Sequence, residues 1–231
     1  MQIGVERVAR VPRSFFARGA AEVARDLLGT ILTHETHEGL VAGRIVEVEA
    51  YLAEGDAASH SFRGETARNR SMFGPPGHAY VYFIYGVHHC FNVVTGTRRV
   101  GEAVLVRALT PIEGVELMHR RRNGAHDLCG GPGKLTVALG IDRAHDGVDL
   151  TRGSLGIWRG KTNADRTLVS VGPRIGITKA RELPLRFVSK ELATRPSVRA
   201  ARASPVRVSA SSPRSAEYLR GSGPRPTSAF R

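Results

Sequence analysis

Residues 41–51 alternate between apolar and polar side chains in the way that a β-strand with one buried face requires. Val46, Val48 and Ala50 are predicted to point toward the core. The opposite face then presents two carboxylates and a phenol together, those of Glu47, Glu49 and Tyr51. Three interpretations of this face are open: a solvated surface, a carboxylate that activates water, and a carboxylate pair of the kind that glycosidases use.

The surrounding stretch, residues 43–94, is rich in side chains that carry chemistry. It holds four of the five tyrosines and four of the nine histidines of the chain. Carboxylates, imidazoles and aromatic rings at this density indicate a site rather than a scaffold.

A glycine- and proline-rich loop over residues 53–76 connects this strand to a predicted β-hairpin over residues 78–94. The loop has three arginines that have two possible roles, ordinary solvated charge and contact with phosphates: Arg63, Arg68 and Arg70. Packing in the hairpin and stacking on nucleic-acid bases are both open for the hairpin tyrosines, Tyr80, Tyr82 and Tyr85. Tyr85 lies beside Gly86 at the predicted tip, where a core position is difficult, and this favours a functional role.

The other patterns predict an α+β fold. Helical spacing over residues 14–28, a capping box at residues 110–113 and a glycine-rich start at residues 130–134 each predict a helix. Residues 103–109 form a strand pattern interrupted by Arg107, and residues 174–177 are among the later strand candidates. We expect a single domain with a curved, mainly antiparallel β-sheet and helices packed at its edges.

The net charge of +13 favours a polyanionic partner, either nucleic acid or an anionic membrane surface. The charge is concentrated at the C-terminal end, where eight arginines and one glutamate follow Thr194. Apolar periodicity fades in the same region. We therefore predict a flexible N-terminus over residues 1–10, a folded domain over residues 11–188 and a basic, disordered tail over residues 189–231.

Several classes of protein are disfavoured. No apolar run reaches the roughly 18 residues of a membrane span, and the N-terminus lacks the apolar segment of a secretory signal. The two cysteines, Cys90 and Cys129, do not form a C-x-x-C pair and are expected to be reduced thiols. We therefore expect a cytoplasmic protein.

Two further motifs lack the residues that their chemistry needs. The histidines and cysteines around His88, Cys90 and Cys129 do not have zinc-ligand spacing, so no metal site is predicted. Residues 130–134 resemble a phosphate loop, but Leu135 follows Lys134 where a nucleotide-binding loop has serine or threonine. Lys134 therefore belongs either to a plain helix start or to a contact with the DNA backbone.

Seven blocks of the sequence, in order and at consistent spacing, resemble the alkyladenine (3-methyladenine) DNA glycosylase family. They cover about residues 11–188 and read RSFFARGAAEVARDLLG, RIVEVEAYLAEGDAASHS, TARNRSMF, HAYVYFIYGVHHCFNVV, EAVLVRALTPIEG, DLCGGPGKLTVALGID and PRIGITKARELPLRF. The resemblance implies a fold similar to the C-terminal domain of formyltransferases, with a protruding β-hairpin. It also implies repair of alkylated or deaminated purines in duplex DNA.

The resemblance assigns a role to each matched position. Glu49 would deprotonate the attacking water, which Arg107 and the backbone carbonyl near Ile175 would help to hold. Tyr85 would fill the gap that a flipped base leaves in the duplex. The pocket for that base would be lined by Tyr51, His60, Met72, Tyr82 and Asn92, of which Asn92 would disfavour normal guanine. Val87 and His89 depart from the family pattern, so the contacts of the hairpin are expected to differ.

The implied enzyme needs no cofactor and acts as a monomer in the cytoplasm, associated with the nucleoid. No lysine falls within residues 43–94, which predicts a monofunctional glycosylase that leaves an abasic site without cutting the strand. Two alternatives remain open at this point. One is a basic nucleic-acid-binding protein without activity, which the net charge alone would explain. The other is a bifunctional glycosylase and lyase.

Overall fold

The computed structural model describes residues 7–84, 86–160 and 168–193. Within these ranges the chain forms an antiparallel, open sheet of nine strands. The strands are β1 (Arg7–Arg10), β2 (Ile31–Thr36), β3 (Gly39–Tyr51), β4 (Ala79–Ile84), β5 (His88–Thr95), β6 (Glu102–Glu113), β7 (Leu155–Gly160), β8 (Val169–Gly172) and β9 (Arg186–Ser189). The predicted α+β class with a large, mainly antiparallel sheet is confirmed.

The helices are short and lie beside this sheet. They are α1 (Arg13–Phe16), α2 (Ala20–Leu27), α3 (Val115–Arg121), α4 (Pro132–Leu139) and α5 (Lys190–Ala193), with 3₁₀ turns at Arg70–Phe73 and Arg143–His145. Helices α2, α3 and α4 contact β3, β5 and β6. In the described part of the chain, no helix is long and apolar enough to cross a membrane.

Strand β3 is the centre of the sheet, which runs in the order β1-β7-β2-β3-β6-β5-β4. One edge of β3 is shared, because its first half pairs with β2 and its second half pairs with β9. The other edge pairs with β6 over most of its length. The largest fully buried side chains of the core come from helices and strands alike, and include Phe16, Leu27, Phe91, Leu139 and Phe187.

Two opposed bulges interrupt the pairing of β3 with β6. Ile45 faces Leu109 and Glu47 faces Ala108, which leaves Val46 without a partner on β6. The next pair is Val48 with Val106, which leaves Arg107 as the extra residue on β6. A bulge turns a side chain away from the simple alternation of a strand, and this places the Arg107 guanidinium beside Glu47 and Glu49.

The bulge also corrects one prediction. Val46 was expected to face the core with Val48 and Ala50, but it packs with Ala108 and Leu192 in a separate cluster. Ile45 joins Val48 and Ala50 in the main core instead. An extra residue in a strand reverses the faces of the residues that precede it, and simple alternation cannot anticipate this reversal.

Two local predictions of helices were wrong in their bounds. Residues 110–113 continue β6, because Thr110 and Pro111 pair with β3, and α3 begins only after Gly114. Gly114 has a φ of 69° and packs against the Leu40 carbonyl without room for a Cβ. The helix expected over residues 14–28 is divided into α1 and α2. In the first case, strand pairing outweighs a local capping signal.

Strand β4 lies at the edge of the sheet and pairs with β5 from Ala79 with Val93 to Ile84 with His88. Its outer edge is covered in the middle. The Val81 N–H donates to Asp146 Oδ1 over 2.8 Å, and the Val81 carbonyl accepts a hydrogen bond from Arg143. Asp146 also accepts from the Ser71 hydroxyl over 2.8 Å. Two side chains thus take the place of a neighbouring strand.

Residues 1–6, Tyr85 and residues 161–167 and 194–231 lie outside the described residues. The predicted flexible N-terminus and most of the predicted tail fall there. Within the described part, residues 7–10 form β1, and α5 extends the fold to Ala193. The division of the chain into a domain and a tail therefore stays a prediction.

Candidate active site

Glu49 is a fully buried carboxylate near the end of β3. Its Oε1 accepts a hydrogen bond of 2.8 Å from the Ile175 N–H, and its Oε2 accepts one of 3.0 Å from the Tyr51 hydroxyl. The Arg107 Nη1 lies 3.3 Å from Oε2. A buried carboxylate needs such donors and a neighbouring cation, because an isolated buried charge is very costly.

Arg107 connects the two carboxylates of β3. Its Nε donates to Glu47 Oε1 over 3.0 Å, while its Nη1 faces Glu49. Arg186 on β9 donates to the same Glu47 oxygen over 2.7 Å. Glu47 is therefore engaged by two arginines, whereas Glu49 is bound by an amide, a phenol and one arginine. The two carboxylates of the strand face, which the sequence could not distinguish, have different surroundings.

A cleft of about 320 Å³ opens above this network. This volume is within the usual range of ligand pockets in proteins. Tyr51, Arg107 and Ile175, the three contacts of Glu49, all line it. The other side chains around it include His60, Tyr82, Cys90 and Leu105. A smaller recess continues inward from the same rings and is lined by Tyr51, His60, Met72, Tyr80, Tyr82 and Asn92.

The rings of the recess are held by contacts with one another. His60 and Tyr82 lie 4.6 Å apart at an interplanar angle of 65°, and the His60 Nδ1 is 2.8 Å from the Tyr80 hydroxyl. Burial raises the pKa of Tyr82 and of Tyr80, while burial and nearby Arg68 lower the pKa of His60. At neutral pH the wall of the recess therefore consists of neutral rings.

Met72 and Asn92 form the inner end of the recess, and both are nearly inaccessible to solvent. Met72 packs in a small apolar cluster that includes Tyr80, Val94 and Ala103. The Asn92 amide donates to the Tyr80 carbonyl over 2.9 Å, which fixes its orientation across the hairpin. The five residues predicted to line a base pocket are thus brought together.

Ile175 makes a contact that the sequence did not predict. The family resemblance assigned a backbone carbonyl near Ile175 to the attacking water, and in the structure the Ile175 N–H donates to Glu49. The role of the carbonyl stays a prediction. The strand predicted over residues 174–177 is also wrong, because these residues form a bend between β8 and β9. Arg174 lies in this segment and is buried. Arginine is seldom buried in proteins, so no local sequence pattern predicts its burial.

Sequence reasoning missed an ion pair behind the site. Arg174 donates to both carboxylate oxygens of Asp56 over 2.6 Å, and both side chains are fully buried. Its guanidinium carbon lies 4.5 Å from the centre of the Tyr51 ring. Burial alone would raise the pKa of Asp56, but the Arg174 hydrogen bonds and the Leu52 N–H outweigh it and leave the pKa below its ordinary value.

The predicted contacts to the DNA backbone lie at the surface. Arg63, Arg68 and Arg70 are all exposed, and Arg70 is 3.6 Å from Glu65. Lys134 forms a 2.7 Å ion pair with Asp127, so its charge is already partly balanced. Tyr85, the predicted wedge, lies outside the described residues. Beside it on the hairpin, Val87 is largely exposed.

Within the described residues, no group of three or more histidine, cysteine and acidic side chains is arranged to hold a metal ion. Cys90 and Cys129 are both free and buried. Burial raises the pKa of Cys129 to about 12, and burial also raises the pKa of Cys90. Both thiols are therefore protonated at neutral pH.

Residues 14–193 match the model of a known family, described as methylpurine-DNA glycosylase (MPG). Among similar proteins, one from Methanoculleus marisnigri is 54% identical over 186 residues, which are 78% of this chain and 95% of that protein. One from Carboxydothermus hydrogenoformans is 49% identical over 183 residues, with the same coverage of 78% and 95%. One from Rubrobacter xylanophilus is 48% identical over 163 residues, 71% of this chain and 85% of that protein. All three carry the name "putative 3-methyladenine DNA glycosylase".

Proposed function

This chain belongs to the methylpurine-DNA glycosylase family, whose members are DNA-repair hydrolases acting on N-glycosyl bonds, and we propose that it releases damaged purines by a water that Glu49 activates. The observation that carries this proposal is the set of Glu49 contacts. A fully buried carboxylate is fixed by three groups, Tyr51, Arg107 and Ile175, that also line the cleft. A cleft of aromatic rings above a fixed carboxylate suits a purine and its sugar.

The substrate enters this site only after leaving the base stack. Flipping a nucleotide costs a few kcal/mol, and the cost is least where the base is damaged or mispaired. The recess offers neutral rings, those of His60, Tyr80 and Tyr82, against which a purine can pack. Tyr85 is proposed to occupy the gap in the duplex from the tip of the hairpin. The exposed Arg63, Arg68 and Arg70 are proposed to contact phosphates, as is Lys134.

The hydrolysis needs one base and one site for developing positive charge. Glu49 accepts a proton from water, the water oxygen bonds to C1′ of the sugar, and the C1′–N bond breaks with its electrons leaving on the purine. The same carboxylate stabilises the oxocarbenium character of the sugar. Arg107 is proposed to hold the water from one side, together with the backbone carbonyl near Ile175. A purine with an alkylated ring nitrogen is cationic and departs as a neutral base.

We further propose that the enzyme is monofunctional, works as a monomer and carries the hairpin as a protruding element on a formyltransferase-like curved sheet. Within the described part of the chain, no lysine lines the cleft or the recess. A Schiff base with the sugar would need such an amine, so its absence from the lining supports hydrolysis by water. Asn92, at the inner end of the recess, is proposed to disfavour guanine by occupying the space that its exocyclic amine needs.

A duplex carrying a single hypoxanthine, ethenoadenine or 3-methyladenine tests the proposal. After incubation with the protein, alkali should break the damaged strand at that position, and without alkali the strand should stay intact. Binding with no break after alkali would instead identify a DNA-binding protein without activity. A break before alkali, with a covalent complex trapped by borohydride, would identify a bifunctional lyase.

A further inference from the structure

One buried ion pair lies directly behind the candidate site. Arg174 and Asp56 are both inaccessible to solvent and are joined by two hydrogen bonds of 2.6 Å. Arg174 also donates to the Ala50 carbonyl over 2.9 Å, which ties it to the backbone of β3 between Glu49 and Tyr51. A bidentate arginine contact fixes both the position and the plane of the guanidinium.

The pair touches the two sides of the site in different ways. The Arg174 guanidinium packs under the Tyr51 ring at 4.5 Å from its centre. The residue that follows Arg174 is Ile175, whose N–H donates to Glu49 over 2.8 Å. The position of one arginine therefore sets both the wall of the cleft and the amide that binds the carboxylate.

Asp56 extends this arrangement to the loop that carries His60. Its Oδ2 accepts from the Leu52 N–H over 3.0 Å and its Oδ1 accepts from the Ala58 N–H over 3.1 Å. Each carboxylate oxygen thus binds one backbone amide and one Arg174 nitrogen. The turn before His60 is anchored to the same point as Tyr51 and Ile175.

We propose that Arg174, held by Asp56, is a positioning residue that keeps Glu49, Tyr51 and the attacking water in the relative positions that hydrolysis requires. The inference rests on the proposed function of Glu49. Arg174 has no place in the cleft lining and acts only through its neighbours. It is therefore expected to govern the rate of the chemical step and to leave the affinity for damaged DNA nearly unchanged.

The energetics of the pair support a role beyond stability. An apolar pair of similar volume often stabilises a core as well as a buried ion pair does, because both charges must lose their hydration. Here the cost is increased, since the Arg174 Nε is buried and has no hydrogen-bond partner among the described residues. An apolar pair could not supply the directed hydrogen bonds that fix the position of Arg174. Position matters because a displacement of about 1 Å in an active site can lower a rate by about 100-fold.

The test removes both charges of the pair and compares the effect on stability with the effect on the excision rate. In Arg174→Met/Asp56→Asn, neither charge is left buried alone, and the amide introduced at position 56 keeps an acceptor for the loop. Thermal unfolding should stay close to wild type, whereas single-turnover excision with saturating enzyme should fall by about 100-fold. The dissociation constant for an ethenoadenine duplex should stay close to wild type. A double variant with wild-type melting temperature and wild-type excision rate would overturn the inference.

A second variant serves if the double variant does not fold. Arg174→Lys keeps a positive charge beside Asp56 but cannot form the bidentate contact or stack its plane under Tyr51. It should fold and should show an intermediate excision rate with unchanged affinity. A rate equal to that of wild type in this variant would also overturn the inference.

The control is the Arg13–Asp149 pair, a more exposed ion pair of 2.7 Å whose residues do not line the cleft. Arg13→Met/Asp149→Asn should leave the single-turnover rate unchanged, whatever its effect on the melting temperature. A loss of rate that follows melting temperature in both pairs would show a structural role only and would count against positioning. Absence of excision by the wild-type protein, in contrast, would refute the proposed function itself.

Discussion

The Tyr51 hydroxyl donates a 3.0 Å hydrogen bond to Glu49 Oε2 from two residues along the same strand. Burial and the Glu49 charge raise the pKa of Tyr51, so the phenol stays protonated and remains a donor. One residue thus supplies a ring for the cleft and a hydrogen bond for the carboxylate.

Tyr51→Phe should separate these two contributions. The ring is kept, so affinity for an ethenoadenine duplex should not change. The carboxylate loses a donor, and because a hydrogen bond to a charged group contributes about 1.5–3 kcal/mol, single-turnover excision should fall at least roughly tenfold. Tyr51→Ala should impair both binding and rate. Equal excision by Tyr51→Phe and wild type would exclude a role for the hydroxyl.

Glu49→Gln should abolish measurable excision and retain DNA binding, because general-base catalysis contributes about 10²–10⁴-fold and the amide cannot accept the proton. Excision is measured under single-turnover conditions, and binding by fluorescence anisotropy. Glu47→Gln is the matched control on the same strand face. It should retain more activity than Glu49→Gln, since Glu47 is engaged by Arg107 and Arg186. The reverse order would transfer the base role to Glu47.

Tyr85→Ala should slow excision most where the lesion is opposite its normal partner, because the intact pair makes flipping costlier there. Mispaired lesions should be affected less. Val87→Ala, which alters an exposed side chain two positions further along the chain, should have little effect on either duplex. If Tyr85→Ala slows matched and mispaired duplexes equally, the wedge role is wrong.

Truncation after Ala193 should weaken binding and flatten its dependence on salt. The removed segment carries eight arginines, and each phosphate contact that is lost reduces the slope of log K against log salt by about 0.9. The cut is placed there because Leu192 is buried against Val46 and Ala108. Excision at saturating enzyme should persist. A salt slope identical to that of the full chain would exclude a contribution of the segment to DNA binding.

Acid should destabilise the fold through His34. Its Nδ1 is 2.8 Å from the Leu139 carbonyl and its Nε2 is 3.2 Å from His145 Nε2, with Arg121 and Asp142 nearby. Burial, together with His145 and Arg121, lowers its pKa below 6.5. The unfolded chain then binds a proton more readily, so stability is complete above pH 6.5 and declines as the pH falls below that value.

Urea unfolding at several pH values between neutral and mildly acidic conditions measures this effect. The midpoint of wild type should fall on acidification, and that of His34→Gln should fall less. His126→Gln, at an exposed position, should behave as wild type does. A midpoint that depends on pH equally in wild type and in His34→Gln would assign the acid sensitivity to other groups.

The sequence predicts elements well where one pattern spans many residues. The alternation in β3 places Glu47, Glu49 and Tyr51 on one face, and the hairpin of β4 and β5 pairs close to its predicted bounds. It fails where distant residues decide the outcome. The bulges at Val46 and Arg107 arise from the pairing of two strands, and the burial of Arg174 depends on Asp56, 118 positions away.

The site shows the same division. Residue types near one another in the chain indicated a site, and the resemblance to a family implied which of the two carboxylates acts as the base. Neither source indicated that Ile175 would donate its N–H to Glu49, because the contact joins residues 126 positions apart. Backbone donors leave no mark in residue type.

The side chains along the outer edge of β4 bear on how this protein behaves among its own copies. The Val81 N–H donates to Asp146 and the Val81 carbonyl accepts from Arg143, so neither group of Val81 is available to pair with another strand. Exposed edge strands are sites of edge-to-edge aggregation between molecules. Strand β4 lies at the end of the strand order and is therefore open to such pairing, but Asp146 and Arg143 already bind the backbone groups of Val81 that a second copy would need. Replacing Asp146 or Arg143 is therefore expected to increase aggregation at high protein concentration before it alters the folded structure.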